Sequence, residues 1–501
     1  MMGEKYQALV SRLAEIRNLN RALAVLHWDQ QVKMPPGGAR ARAAQIGTLT
    51  RIEHEMIISD ETARLLDDAR SEIAGADYDS DEASMVRVVS QDVREQTCLP
   101  TELVTRIAEL EVTAHQIWAQ ARADNNFAAF APVLEQLLDL KRESAEHMGY
   151  TEHPYDALLN EYERGMTASR VKQLFDAHKP DLVALIAAIR AKGNVIDDSI
   201  VHQPFDVQQQ RAFGEKVVKA YGYDFNRGRQ DEAVHPFCIN FGQGDVRITT
   251  RFTPDFLNPA LFGTMHEAGH AMYEQGVDPS LEGTPLSRGT SLGVHESQSR
   301  MWENFVGRSK AFWTWAYPQL QATFPQLNGV SQDAFYKAIN KVQPSYIRVE
   351  ADEATYNLHI MLRFELEMEM VAGKVRVADL NEEWNDRFET FFGIAPPTDR
   401  VGVLQDIHWS SGLIGYFPTY AIGNLLAAQY YRKALQDHPS IPDDIASGKF
   451  DTLLGWLREN IHKHGRKFTA EELTQRVTGE SIDCTYYMQY LYDKYNAIYG
   501  L

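Results

Sequence analysis

Residues 350–374 read EADEATYNLHIMLRFELEMEMVAGK, an unbroken run in which apolar side chains return every three or four positions. That period belongs to a helix, and the run is too long for a strand. Residues 175–193, FDAHKPDLVALIAAIRAKG, repeat the pattern, and in the N-terminal MMGEKYQALVSRLAEIRNLN the stripe is Tyr6, Leu9, Val10, Leu13 and Ile16. Breaks are sparse: MPPGG at 34–38, TEHPYD at 151–156, the stretch 192–206, DPSLEGTPLSRGTS from 278 and IAPPTD from 394. The expected fold is mostly α. No repeat, low-complexity tract or linker-like composition divides the chain, so one large helical domain over 1–501, with two helical halves around a cleft, is the simplest organisation.

One segment departs from the helical period. In HPFCINFGQGDVRITTRF, residues 235–252, Phe237, Ile239 and Phe241 alternate, GQG marks a turn at 242–244, and Val246 and Ile248 alternate with Asp245, Arg247 and Thr249. This is a β-hairpin pattern. Its edge strand could take up an extended peptide by strand addition; a small structural sheet with no ligand is the plainer expectation.

Composition narrows the function classes. The chain has 501 residues, 44% apolar and 24% charged, with 50 Lys and Arg against 69 Asp and Glu, a net charge of −19. Such acidity disfavours nucleic acid and anionic membranes as partners. No apolar run approaches the ~18 residues of a membrane span, and the N-terminus is amphipathic rather than a secretion signal. The three cysteines, Cys98, Cys238 and Cys484, are scattered and outside any CxxC. A disulfide framework is not expected, and a reducing cytoplasm fits.

Chemistry concentrates in TMHEAGHAMYEQG, residues 264–276. Four residues are slightly more than one helical turn, so His266 and His270 stack on one face and can converge on a cation. Glu267 is rotated about 100° from His266, beside such a cation rather than on it, where it can take a proton from an attacking water. Tyr273 and Gly276 stand where a metzincin has Gly and His, which removes that class. Glu274 lies two turns, about 12 Å, along the axis from His266 and is a poor third ligand. The better one is in GVHESQSRMWENF, where Glu296 opens a second helical run through Met301, Trp302, Phe305 and Val306. Its neighbour His295 is the rival ligand, and an i,i+4 ion pair of Glu296 with Arg300 is the bland alternative. Two histidines and a glutamate leave a position open, as in catalytic zinc sites. A closed structural site would have no use for Glu267.

The chain resembles the carboxypeptidase Taq family of metallocarboxypeptidases. The resemblance rests on HPF at 235–237, DVRIT at 245–249, HEAGH at 266–270, HESQ at 295–298, IRVEAD at 347–352 and GVLQDIHW at 402–409, with LHWDQQVKMPPGGARARA near the N-terminus. It implies a mostly helical fold with a deep active-site groove, shared in outline with the angiotensin-converting-enzyme and neurolysin peptidases. It also implies a cytoplasmic homodimer that releases single residues from peptide C-termini with broad specificity. Carried over to this sequence, it assigns zinc, with cobalt a possible substitute, to His266, His270 and Glu296, and the general base to Glu267. A zinc oligopeptidase or dipeptidyl carboxypeptidase of similar fold is the alternative.

Peptide hydrolysis also needs an oxyanion donor. His408 in QDIHW, with Asp406 nearby, is the first choice, with Tyr416 and Tyr420 of GYFPTY as alternatives; a histidine merely packed on Trp409 is the plain reading. A guanidinium best recognises a terminal carboxylate. Arg348 is the first candidate, with Asp352, Tyr356 and His359 on its face at helical spacing, and Arg247 the second; for both, a structural salt bridge competes. His235 of the HPF motif is grouped with substrate binding on the resemblance alone.

Overall fold

The computed structural model describes residues 3–501. Twenty α-helices and three short strands are found among the described residues, so the expected helical class with a small sheet holds. No helix is long and apolar enough to cross a membrane among the described residues. The chain folds as two compact units. One takes the chain up to Thr97, Asp197–Ile339 and Tyr430–Glu480; the other takes Cys98–Ile196, Asn340–Gln429 and Ser481–Leu501.

In the first unit the N-terminal helix Glu4–Val32 buries Tyr6, Leu9, Leu13 and Ile16. They meet Leu65, Leu66, Val86 and Val89, with Val10 packed partly buried at the margin. The sheet places β1 (Gln230–Glu232), β3 (Val246–Thr250) and β2 (Cys238–Asn240) side by side in that order. β2 and β3 form the expected antiparallel hairpin, Ile239 opposite Arg247. β1 lies parallel to β3, and three residues are too few to show a period. Thr249, on the face opposite Val246 and Ile248 by its alternation, is buried as they are, and Phe237 donates its N–H to the Thr249 hydroxyl at 2.9 Å.

The HEAGH motif sits on the helix Asn258–Gly276, which opens with Pro259 and is buried almost throughout. Gly269 has a specific task there. A Cβ at that position would lie 2.6 Å from the Gln298 carbonyl oxygen and 2.6 Å from the Ser299 Cα. Only glycine lets the helix Leu292–Arg300 approach so closely. That second helix is N-capped by Ser291, whose hydroxyl accepts from the Val294 N–H at 3.1 Å. It continues as a π-turn over Met301–Val306, all six residues buried; single π-turns often mark functional sites.

The second unit packs the helix Thr101–Asp124 on Phe127–Met148, and Ala168–Ala191 on Glu353–Val371. The run that set the fold class is this last helix. It is capped by Asp352, whose carboxylate accepts from the N–H groups of Ala354 and Thr355. Arg348 therefore lies outside it, in a 3₁₀ turn Arg348–Glu350, and does not share a helical face with His359 as the spacing suggested.

Candidate functional site

The first unit brings His266, His270 and Glu296 together, with one ligand atom from each within 4.8 Å of the others. Glu296 Oε2 is 3.6 Å from His266 Nε2 and 3.7 Å from His270 Nε2. Ligand atoms around a tetrahedral ion with bonds of ~2.0–2.1 Å lie about 3.4 Å apart, so the donor set fits a zinc-like cation. The other Glu296 oxygen is fixed by Arg300, whose Nε donates to Oε1 at 2.7 Å. The i,i+4 ion pair thus exists and holds the carboxylate in place.

Glu267 is buried beside these groups. Burial first, then the Glu296 and Glu303 carboxylates, push its pKa up to about 7 against the pull of His266.

Both histidines have their second nitrogen engaged. Glu303, not singled out in the sequence, lies 2.8 Å from His266 Nδ1. It is also 3.2 Å from Arg300 Nη1. Although burial would raise its pKa, Arg300 and His266 hold it well below the usual carboxylate range. The signal for Glu303 was its place one turn beyond Arg300, readable only once the π-turn is known. His295 does not converge with the ligands. Its Nδ1 lies 3.1 Å from His270 Nδ1, on the side of the ring away from Glu296. Its Nε2 lies 2.6 Å from Glu274 Oε1, an oxygen that also accepts from the Gly289 N–H at 3.0 Å. Burial opposes ionisation of Glu274, but these bonds bring its pKa to about 2.

A second polar cluster forms in the other unit. Arg348 donates Nε and Nη2 to Asp406 Oδ1 at 3.0 and 2.9 Å, and Nη1 to the Tyr356 hydroxyl at 3.2 Å. Arg363, absent from the sequence expectations, donates Nε to Asp406 Oδ2 at 2.7 Å. Two buried guanidiniums on one carboxylate leave an excess positive charge. Gln405 accepts from the Arg348 N–H at 2.8 Å, so the IRVEAD and GVLQDIHW motifs make one site.

His408 Nδ1 is 3.9 Å from Asp406, too long for a hydrogen bond. Its ring packs on Phe417, centroids 4.4 Å apart, with Tyr416 at 5.5 Å and Tyr420 at 6.3 Å. It does not pack on Trp409, which meets Trp384. Burial, aided by Arg348 and Arg363 against Asp406, lowers its pKa to about 3, so the ring is neutral. Tyr420 lies under the Arg348 guanidinium, 5.2 Å from centroid to carbon. Glu367, also missed, anchors this loop: it accepts from Tyr155 Oη at 2.7 Å, Trp409 Nε1 at 2.8 Å and the Gly415 N–H at 3.1 Å.

Arg247 is bidentate on Asp245 at 2.8 and 2.7 Å. It stacks 4.4 Å from the Trp28 ring and 4.8 Å from Phe241. This ties the N-terminal LHWDQQ stretch to DVRIT. His235 is exposed in a bend before β2.

The sequence model of the family described as Carboxypeptidase Taq (M32) metallopeptidase matches residues 8–495. The chain is 41% identical to thermostable carboxypeptidase 1 of Thermus thermophilus over 99% of both chains. It is 39% identical to carboxypeptidase 1 of Bacillus subtilis over 98% of this chain and 97% of that one. The crystal structure of the M32 carboxypeptidase from Deinococcus radiodurans is similar at TM-score 0.97 and 42% identity, over all of both chains.

Proposed function

Since the chain belongs to the M32 carboxypeptidase Taq family and is a metallocarboxypeptidase acting on peptides, we propose that it is zinc-dependent and releases single residues from free C-termini with broad specificity. The observation that carries the metal assignment is the convergence of His266 Nε2, His270 Nε2 and Glu296 Oε2 beside a buried glutamate. A divalent ion held by His266, His270 and Glu296 would supply Lewis-acid polarisation of the scissile carbonyl and a water with a pKa near about 7. Glu267 takes the proton of the attacking water and returns it to the leaving nitrogen. His408, neutral and confined by Phe417, Tyr416 and Tyr420, donates an N–H to the developing oxyanion, with the two tyrosine hydroxyls as alternative donors. Arg348 receives the terminal carboxylate, supported by the excess charge of the Arg348–Asp406–Arg363 group. Arg247 is the second candidate, its fork already closed on Asp245, and His235 keeps its grouping with substrate contacts.

A cytoplasmic homodimer completes the proposal; three scattered cysteines outside any CxxC fit a reducing compartment. Digestion of one peptide with the zinc-loaded protein, followed by mass spectrometry, tests the reading. Successive single-residue losses are expected. Losses of two residues or internal cuts would replace it with a dipeptidyl carboxypeptidase or an oligopeptidase, and cobalt loading would show whether zinc is required. Sedimentation gives the oligomeric state.

A further inference from the structure

The metal-facing nitrogen of His270 is Nε2, 3.7 Å from Glu296. The proton of a neutral ring must then sit on Nδ1, and that atom meets His295 Nδ1 at 3.1 Å, with the His295 backbone also bonded to the ring. Two ring nitrogens cannot both donate, so His295 accepts at Nδ1 and carries its own proton on Nε2. Nε2 faces Glu274 Oε1 at 2.6 Å. Each step fixes the next, and the chain ends on a carboxylate also held by the Gly289 N–H. The surroundings keep the linking ring in place: a Cβ at Gly289 would come 2.4 Å from the His295 ring, and Tyr273 packs 4.9 Å from it. His266 reaches its own carboxylate, Glu303, directly.

We propose that His295 and Glu274 are positioning residues for His270, a two-step hydrogen-bonded chain that fixes its tautomer and ring orientation for the cation. The histidine beside the third ligand is thus a lever on metal affinity rather than a spare ligand. The inference rests on the metal reading above, and metal binding tests the two apart. Hydrogen-bond partners of ligating histidines typically contribute 10- to 100-fold in metal affinity.

The variants separate the two contacts. An asparagine amide sits where the imidazole has Nδ1, and a glutamine amide where it has Nε2. His295→Asn can therefore still accept from His270, while His295→Gln keeps only the link to Glu274. Zinc dissociation constants of the full-length protein, measured by competition with a chromophoric chelator, should weaken about 10- to 100-fold in His295→Ala and His295→Gln. His295→Asn should recover part of the loss, the remainder belonging to the missing link to Glu274. The metal-free His295→Ala and His295→Asn proteins, which leave buried Glu274 without its imidazole partner, should melt lower, while the stabilisation gained on adding zinc shrinks in Ala and Gln. Wild-type affinity in His295→Ala would overturn the proposal, as would an Asn variant no better than Ala. A fall in metal-free melting that accounts for the whole difference would reduce His295 to packing and also overturn it. A wild-type protein that takes up no zinc would instead remove the metal reading itself.

Discussion

Glu267 and Glu303 flank one histidine, yet their proton affinities are driven apart. Glu267, buried and facing other carboxylates, is pushed up to about 7, whereas Glu303, between Arg300 and His266, is held well below the usual range. Separation of this kind distinguishes a proton carrier from a permanent charge. Glu267→Gln should accordingly keep about one metal per chain while turnover falls by about 10² to 10⁴. Metal analysis and initial rates on the same preparation check this, and wild-type rates would end the mechanism. For Arg348, the pairing with Asp406 makes truncation a clean experiment, because Arg348→Ala leaves a neutral Arg363–Asp406 pair behind. If Arg348 receives the substrate carboxylate, removing either partner strands the other at about 2 to 5 kcal/mol. That is roughly a 30- to 5,000-fold loss in kcat/KM. Arg348→Ala and C-terminal amidation of the peptide should then cost about the same and should not add. Additive losses would move carboxylate recognition to Arg247, and efficient cleavage of the amidated peptide would sink the exopeptidase reading.

At the scale of elements, the close approach of two helices builds the candidate metal site. Gly269 stands inside HEAGH with the Gln298 carbonyl where its Cβ would be. Gly269→Ala should push the helix Leu292–Arg300 outward and carry Glu296 from the histidines. Overpacking against backbone costs about 1 to 3 kcal/mol, and zinc affinity should drop although no ligand has changed. Unchanged affinity would mean that the spacing has slack. The sequence showed the two ligand helices and the hairpin because each repeats a local period. It could not show Glu303, whose aim at His266 depends on a π-turn that no period announces. It preferred Glu296 to His295 on ligand chemistry and on the resemblance, since the helical period by itself separates adjacent residues only by a rotation about the axis. Arg348 was misplaced onto the following helix for the opposite reason: the period continues backward past Asp352, but the Asp352 cap starts the helix at Glu353.

On the scale of the whole molecule, the two units alternate along the sequence, each built from three separate stretches of chain. The crossings carry no linker composition, and one falls within the helix Pro418–Asp437, so the sequence suggested one domain. The motifs HPF, DVRIT, HEAGH and HESQ lie in one unit and IRVEAD and GVLQDIHW in the other. Each unit holds a buried carboxylate tied to arginine, and such carboxylates set the acid limit of stability. Burial alone would raise the pKa of Asp406, but Arg348 and Arg363 hold it far below the ordinary range. The folded state then binds this proton more weakly than the unfolded chain does. Its contribution is complete above the unfolded value of about 3.9 and is lost as pH falls from there through the depressed folded value. Protonation leaves two buried guanidiniums facing each other with no counter-charge. Asp406→Asn creates that state at every pH, so it should cost about 3 to 5 kcal/mol near neutrality, as for breaking a buried pair. Below about pH 4 the gap between variant and wild type should begin to narrow. The measurement is a set of urea midpoints for both proteins from about pH 7 down to about pH 3. Glu303 and Glu274 are unchanged between the two proteins, so their acid loss cancels in the difference and what remains belongs to Asp406. Parallel curves with a constant gap would show that Asp406 is not held ionised by its arginines in the folded protein.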